Sequence, residues 1–223
     1  NKLSKPLLHL VLWVFAIEGF ATLAYEVIWT RIFIGFSFDK TTYFFSVIVL
    51  GFIFGLSSGS FLISKCVDKK KNLVTLLAVL EILIGLISLA LLMLFSKLSL
   101  ILNLERTVFD PWMKIIGKEY LIFFFILVIP ATLTGMVYPI VSKLYADNID
   151  KLGNRMGMIG FLDTIGSVLG SFFAGFILIP FLGVVSSFIA IVALNVILGV
   201  LLLLFNKLIT KKIKIVLLSA TLL

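Results

Sequence analysis

Four acidic residues stand inside long apolar runs of the sequence: Glu18, Glu26, Glu81 and Asp163. An ionisable group in a membrane segment is a candidate functional residue, because its burial must be compensated by a partner or a ligand. Glu18, Tyr25 and Glu26 are seven and eight residues apart, so a helix places them on one face. Arg31 is the nearest base, and it reaches this face only if the helix breaks near Trp29.

Two interpretations of these residues remain open at this point. In the first, the acids and their neighbours bind a cation, a polyamine or a proton in an acidic cavity. The residues of that hypothetical ligand site are Glu18, Tyr25, Glu26, Arg31 and Asp163. In the second, each acid is protonated or bonded to a neighbouring helix and only fixes the packing. For Glu81, near the start of its segment, the helix dipole favours this second interpretation.

The composition excludes a water-soluble fold. Of the 223 residues, 61% are hydrophobic and 13% are charged, whereas soluble domains are about half apolar and about a quarter charged. With one Cys and one His, an internal disulfide and a His-based metal cluster are excluded, so we expect no metal and no cofactor. The net charge of +8 fits membrane topology and anionic lipid better than nucleic acid.

Six apolar segments are long enough to cross a bilayer as helices, which takes about 20 residues. They are residues 7–28, 42–63, 73–95, 120–141, 156–181 and 184–205. Their apolar residues surround each segment instead of alternating, which predicts an all-α integral membrane protein and excludes an outer-membrane barrel. We expect a transmembrane domain over residues 1–206. Residues 207–223 form a basic turn and a further apolar stretch, which we interpret as the start of a seventh helix.

Lys and Arg in the connections predict the orientation, because short loops rich in them stay cytoplasmic. Most of the 19 basic residues fall on the side of the N-terminus. We therefore expect a multi-pass protein of the cytoplasmic membrane, with both ends of the six-helix unit in the cytoplasm. The long connection 96–119 alternates aromatic and charged residues, which predicts a segment lying on the outer interface.

Glycines mark two of the predicted helices at spacings that permit close helix packing. The packing residues are Gly51, Gly55 and Gly59 on the second segment and Gly166 and Gly170 on the fifth. These are the second helices of two successive triplets that cross the membrane in opposite directions. This pattern indicates a three-plus-three inverted repeat, similar to half of a major facilitator bundle. An alternative is that glycine is simply common at helix contacts in membranes.

The turn after the second segment places Asp68 before Lys69 and two further lysines. An acid followed by bases in a tight cytoplasmic turn can pair with another helix end and hold one state of a transporter. The turn resembles the corresponding loop of the major facilitator superfamily, without that motif's glycines. Topology alone would also produce this run of lysines.

Two stretches resemble the N-terminal membrane part of membrane-bound spermidine synthase-like proteins, which fuse transporter-like helices to a polyamine aminopropyltransferase. The first is residues 19–31, which end in Tyr25-Glu26-Val27-Ile28-Trp29-Thr30-Arg31, followed by Thr42-Tyr43 and the glycine helix. The second is residues 130–139 together with 160–183. At Asp163 the chain departs from the family's pattern, which has Asn there.

The resemblance implies a membrane domain that anchors an aminopropyltransferase and binds or passes its polyamine. The catalytic domain of such proteins is Rossmann-like, and this sequence contains no glycine-rich loop between a strand and a helix. Two other hypotheses stay open: a half-size, major-facilitator-like carrier of cations or polyamines that dimerises, and a structural subunit that docks other helices. The expected partners are the lipid bilayer, a second copy or another membrane subunit, and a polyamine.

Overall fold

A computed structural model describes residues 5–36, 42–70, 72–104, 112–145 and 152–206. Over these ranges the regular structure is entirely helical. The α-helices are α1 Lys5–Phe36, α2 Thr42–Ser64, α3 Leu73–Leu104, α4 Trp112–Gly135, α5 Val137–Tyr145, α6 Leu152–Phe173, α7 Ile179–Leu182 and α8 Val184–Phe205. A 3-10 turn, Val67–Lys69, precedes α3, and a π-helical segment, Ala174–Leu178, joins α6 to α7.

Six helical spans in the described ranges are long and apolar enough to cross a membrane. They are Pro6–Phe36, Tyr43–Ser64, Leu73–Lys97, Gly117–Tyr145, Gly153–Leu182 and Val184–Phe205. The predicted helical membrane bundle is therefore confirmed. Residues 207–223, with the predicted basic turn and seventh helix, lie outside the described residues.

Two connections differ from the sequence prediction because the apolar helices run further than expected. Helix α1 continues through Trp29 to Phe36, so the helix break that would have turned Arg31 toward Glu26 is absent. The apolar residues that follow Arg31 extend the helix without interruption. Most of the segment 96–119 is helical as well, because α3 ends at Leu104 and α4 begins at Trp112. That this segment lies on the outer interface stays a prediction.

Two prolines of the fourth span affect its helix in different ways. Pro130 lies inside α4, which continues past it. Pro139 has no N–H for the carbonyl of Gly135, and the helix turns at Met136 between α4 and α5. The freed Gly135 carbonyl accepts a hydrogen bond from the Ser60 hydroxyl at 2.7 Å, so the break also joins α4 to α2.

The helices pack in three principal pairs: α1 with α6, α2 with α4, and α3 with α8. Helix α8 also packs against α1, and α4 packs against α3. Suppose that spans one, two and three exchange places with spans four, five and six. The α1–α6 contact then becomes the α4–α2 contact, and the α1–α8 contact becomes the α4–α3 contact. The α3–α8 contact becomes itself. The pairing is the one that a three-plus-three inverted repeat produces.

Contacts of glycine and serine residues between the helices correspond in the two halves in the same way. A Cβ added at Gly59 would collide with the Thr132 carbonyl oxygen of α4, and the next residue, Ser60, bonds to the Gly135 carbonyl. In the other half, the same contacts join Gly166 to the carbonyl of Ala16 and Ser167 to that of Gly19, the latter at 3.3 Å. Gly55 and Gly170 meet the same neighbouring helices, and Gly51 is in ordinary contact with Leu127.

In the third pair, the exchange relates the two packed helices, α3 and α8, to each other. A Cβ added at Gly85 of α3 would lie 3.0 Å from the carbonyl oxygen of Val192, and one added at Gly199 of α8 would lie 2.6 Å from that of Ala78. Three residues after Ala78 comes Glu81, and three residues after Val192 comes Asn195. These two polar residues therefore occupy equivalent positions in the two halves, at the contact of α3 with α8.

Candidate functional site

Helix α1 presents two polar side chains to the interior of the bundle. Glu18 is 3% exposed and Tyr25 is 5% exposed, and their separation of two helical turns places them on one face. The Thr22 hydroxyl, between them, donates to the Glu18 backbone carbonyl at 2.9 Å and lies 3.4 Å from Glu18 Oε1. The Tyr25 hydroxyl is buried without a hydrogen-bond partner among the described residues.

Helix α3 carries a matching pair at the same spacing. Glu81 and Ser88 are both fully buried, and they too are two turns apart. Glu81 lies more than two turns into α3, which begins at Leu73, so it is beyond the first turn, where the helix dipole stabilises an acid. The dipole explanation expected for Glu81 is therefore wrong, and another interaction has to account for its burial.

Asn195 of α8 joins these two helices through a single amide group. Its Nδ2 atom donates to Glu18 Oε2 at 2.7 Å and to Glu81 Oε2 at 3.0 Å. Because an amide carries two hydrogens, one goes to each carboxyl group. We call Glu18, Glu81 and Asn195 the carboxyl centre. It bridges α1, α3 and α8 in the interior of the bundle.

The carboxyl centre lacks positive charge. Within the described ranges, no Lys, Arg or His side chain is paired with either carboxyl group. Glu81 Oε1 and Asn195 Oδ1 are buried without partners, and both atoms accept hydrogen bonds. The two carboxyl groups are also close enough to hydrogen-bond to each other when one of them is protonated. What the centre lacks without that proton is thus a donor or a cation. Leaving a buried charge uncompensated costs several kcal/mol, so the geometry suits a site that holds a proton or a small cation.

Aromatic rings pack together further toward the end of α1. The Tyr25 and Trp29 rings both pack edge-to-face on Phe188 of α8, with centroids 5.3 and 5.0 Å apart. The Trp29 ring also contacts the rings of Phe33 and Phe95. Trp29 Nε1 is a further buried polar atom with no partner in the part of the chain that the structure describes.

The structure separates the residues that the sequence grouped into one ligand site. Glu18 and Tyr25 are together, but Glu26 is only half-buried and does not share their buried environment. Asp163 is half-buried at the contact of α1 and α6, where its Oδ1 lies 2.9 Å from the position of a Cβ on Gly19. Asp163 is thus next to the centre, on the other side of α1.

Arg31 lies off the face of Glu18 and Tyr25, since α1 stays helical beyond Trp29. It lines a groove near the end of α1, with residues of α3 and α8. The bonds that hold the carboxyl centre do not involve it.

The predicted loop residues lie at the opposite end of the bundle. Asp68 forms an ion pair with Lys143 of α5, and Lys143 also donates to the Val67 carbonyl at 3.3 Å. Lys69 is exposed. Asp68 therefore contacts another helix end, while its role in holding a transport state stays a prediction. Exposed ion pairs typically contribute less than about 1 kcal/mol.

Sequence reasoning missed Asn195 and underestimated Glu81. Asn195 is the single Asn within α8, a helix of 22 residues that is otherwise strongly apolar. A lone amide in such a helix is itself a signal, since polar side chains in membrane helices seek partners on neighbouring helices. In the described ranges, no group of three or more His, Cys, Asp or Glu side chains is arranged to hold a metal ion.

The fold and the site together define the class of this protein. It is a multi-pass helical membrane protein with a buried polar centre. No protein-family model, curated protein or solved structure matches the chain.

Proposed function

We propose that this chain is a cation-handling membrane domain, in which the carboxyl centre binds a proton or a cation during transport. One observation carries the proposal: two buried carboxyl groups share one amide donor, beside two buried acceptors that have no partner among the described residues. A purely structural contact between three helices would be more stable with a neutral partner for each carboxyl group. The unmet acceptors instead leave room for the positive charge of a ligand.

Because of the position of the carboxyl centre, a charge bound there would affect how three helices pack together. Its three residues lie on three different helices, and α8 packs against both α1 and α3. When the centre is empty, ionised Glu18 and Glu81 repel each other, and a proton or cation removes that repulsion. Loading of the centre therefore favours one arrangement of α1, α3 and α8 over another, which is the coupling that a carrier needs.

A polyamine is the substrate class that we favour, on the resemblance of residues 19–31 to spermidine synthase-like membrane proteins. Two residues of that stretch, Tyr25 and Trp29, pack on Phe188 of α8, the helix that carries Asn195. In this proposal the domain binds or passes polyamine for an aminopropyltransferase. Reading about 250 codons beyond residue 223 for a Rossmann-type domain tests the enzymatic part. Its absence there would contradict the link to aminopropyl transfer and leave the carrier proposal in place.

Flux measurements test the transport function directly. Purified protein in liposomes should move labelled spermidine or putrescine, or protons followed with an enclosed pH-sensitive dye. Glu81→Gln keeps the size of the side chain and an oxygen that can accept the hydrogen bond of Asn195, but it removes the charge, so we expect flux to fall at least tenfold. Glu26→Gln changes a half-buried acid outside the centre and should retain flux. Wild-type liposomes that move neither species, or equal flux in Glu81→Gln, would contradict the proposal.

We also infer the orientation and the membrane from the basic residues. The turn between α2 and α3 contains Lys65 and Lys69, and such lysine-rich turns remain in the cytoplasm. In this proposal the protein lies in the cytoplasmic membrane, with the N-terminus of α1 and the C-terminus of α8 both on the cytoplasmic side. In this orientation the ion pair of Asp68 and Lys143 is at the cytoplasmic face.

A further inference from the structure

A groove lies between α1, α3 and α8 at the end of the bundle where α1 ends. Its volume is about 480 Å³, within the range of roughly 300 to 1,000 Å³ that is typical of small-molecule sites. It is lined by Arg31, Ile32, Gly35, Phe36, Leu89, Leu92, Met93, Phe95, Ser96, Val184, Val185 and Ile189. We call it the Arg31 groove.

The walls of the Arg31 groove are apolar and open toward the outside of the bundle. Met93 is 60% exposed and Val185 is 59% exposed, and in a membrane such surfaces face lipid. The hydroxyl of Ser96 donates to the Met93 carbonyl of its own helix at 2.8 Å. The walls therefore suit a hydrocarbon chain that enters from the bilayer.

Arg31 supplies the charge of the groove, as the only charged side chain among the lining residues that the structure describes. It is five residues before the end of α1, which is about 7 Å along the helix axis. An arginine at this depth reaches the level of lipid headgroups, and its guanidinium matches the geometry of phosphate oxygens. A cation would be repelled from this groove, so it is not an extension of the carboxyl centre.

From the apolar walls and the single arginine, we propose that the Arg31 groove binds an anionic phospholipid. The phosphate lies on Arg31, and one acyl chain lies between α1, α3 and α8. Phe95 lines the groove and contacts Trp29 and Phe33, so aromatic rings separate the lipid from the carboxyl centre. The proposal concerns lipid binding alone and does not depend on transport.

Spin-labelled lipids test the proposal in reconstituted membranes. Phosphatidylglycerol and phosphatidylcholine, each labelled on an acyl chain, are compared for the fraction that the protein immobilises. We expect the wild type to prefer phosphatidylglycerol. In Arg31→Gln the preference should fall about fivefold, the ratio that corresponds to roughly 1 kcal/mol for one basic side chain at an anionic membrane surface.

Two matched pairs of variants distinguish the groove from general effects. Lys97 is an exposed base of α3 that does not line the groove, so Lys97→Gln should keep the preference. Gly35→Leu fills the groove, where an added Cβ meets nothing within 4 Å, and should release both lipids. Gly160→Leu adds the same side chain at another open position, on α6, and should release neither.

Three results would overturn the proposal. They are an unchanged preference in Arg31→Gln, unchanged immobilisation in Gly35→Leu, and release of phosphatidylglycerol by inorganic phosphate. The last would identify a site for free anions instead of lipid. Polyamine or proton flux is measured separately, so failure here leaves the carrier proposal intact, and failure of the carrier proposal leaves lipid binding intact.

Discussion

Asn195 has one amide group, and each of its two hydrogens reaches a carboxyl group on a different helix. Among the described side chains, this amide is the donor that the two acids share, so the arrangement of α1, α3 and α8 at this level depends on one residue. We expect neutralisation of Glu81 to preserve that arrangement and removal of the Asn195 amide to disturb it. The two substitutions therefore separate the charge of the centre from its structure.

At this scale we expect Asn195→Leu to lower the free energy of unfolding by about 1–3 kcal/mol, because two buried carboxyl groups lose their donor. Denaturation in mixed micelles measures this change. Ile197→Val, at a half-exposed position of the same helix, is the control and should leave the stability close to that of the wild type. In a Glu81→Leu background, the effect of Asn195→Leu should be smaller, since only Glu18 remains to lose a bond. Equal stability of Asn195→Leu and wild type would contradict the structural role of the amide.

The helices pack closely where a glycine of one helix meets a backbone carbonyl of its neighbour. Such contacts occur at equivalent places in both halves. Gly59 meets α4, and Gly166 meets α1, each at a backbone carbonyl that leaves no room for a methyl group. Backbone cannot move aside as a flexible side chain can, so an added Cβ must push the two helices apart. The α1–α6 and α2–α4 pairs are therefore intolerant of larger residues.

We expect Gly59→Ala and Gly166→Ala each to destabilise the protein by about 1–3 kcal/mol, the range typical of overpacking. Their costs should be similar, because the two contacts are equivalent. Gly160→Ala is the matched control on α6, since a Cβ at that position meets nothing within 4 Å. Thermal unfolding in detergent measures all three variants. A Gly166→Ala protein as stable as Gly160→Ala would show that the helices are further apart than described.

Most of the element-level structure was predictable from the sequence, because bilayer crossing requires long apolar helices and the sequence contains six. The continuation of α1 to Phe36 was not predicted, since Thr30 and Arg31 suggest an end where the following apolar residues extend the helix instead. The candidate site was only partly predictable. Spacing along α1 pairs Glu18 with Tyr25, but spacing within one helix says nothing about Glu81 and Asn195, which meet Glu18 only through packing.

For the whole molecule, Cys66 provides a direct measure of orientation. It is the one Cys of the sequence, and it is exposed in the turn between α2 and α3. With this turn in the cytoplasm, a membrane-impermeant maleimide should label Cys66 only after cells are permeabilised. In Cys66→Ser/Lys97→Cys, the thiol moves toward the opposite end of the bundle and should be labelled in intact cells. Labelling of Cys66 in intact cells would reverse the proposed topology.

The equivalence of Glu81 and Asn195 also says something about origin. A bundle whose halves exchange contacts so closely is what duplication of a three-helix ancestor would leave behind. At this position one half has the carboxylic acid Glu81 and the other half has the shorter amide Asn195. An ancestor with two identical copies would have paired acid with acid or amide with amide there. The equivalent contacts of the two halves therefore bring two chemically unlike side chains together at this position, an acid and an amide.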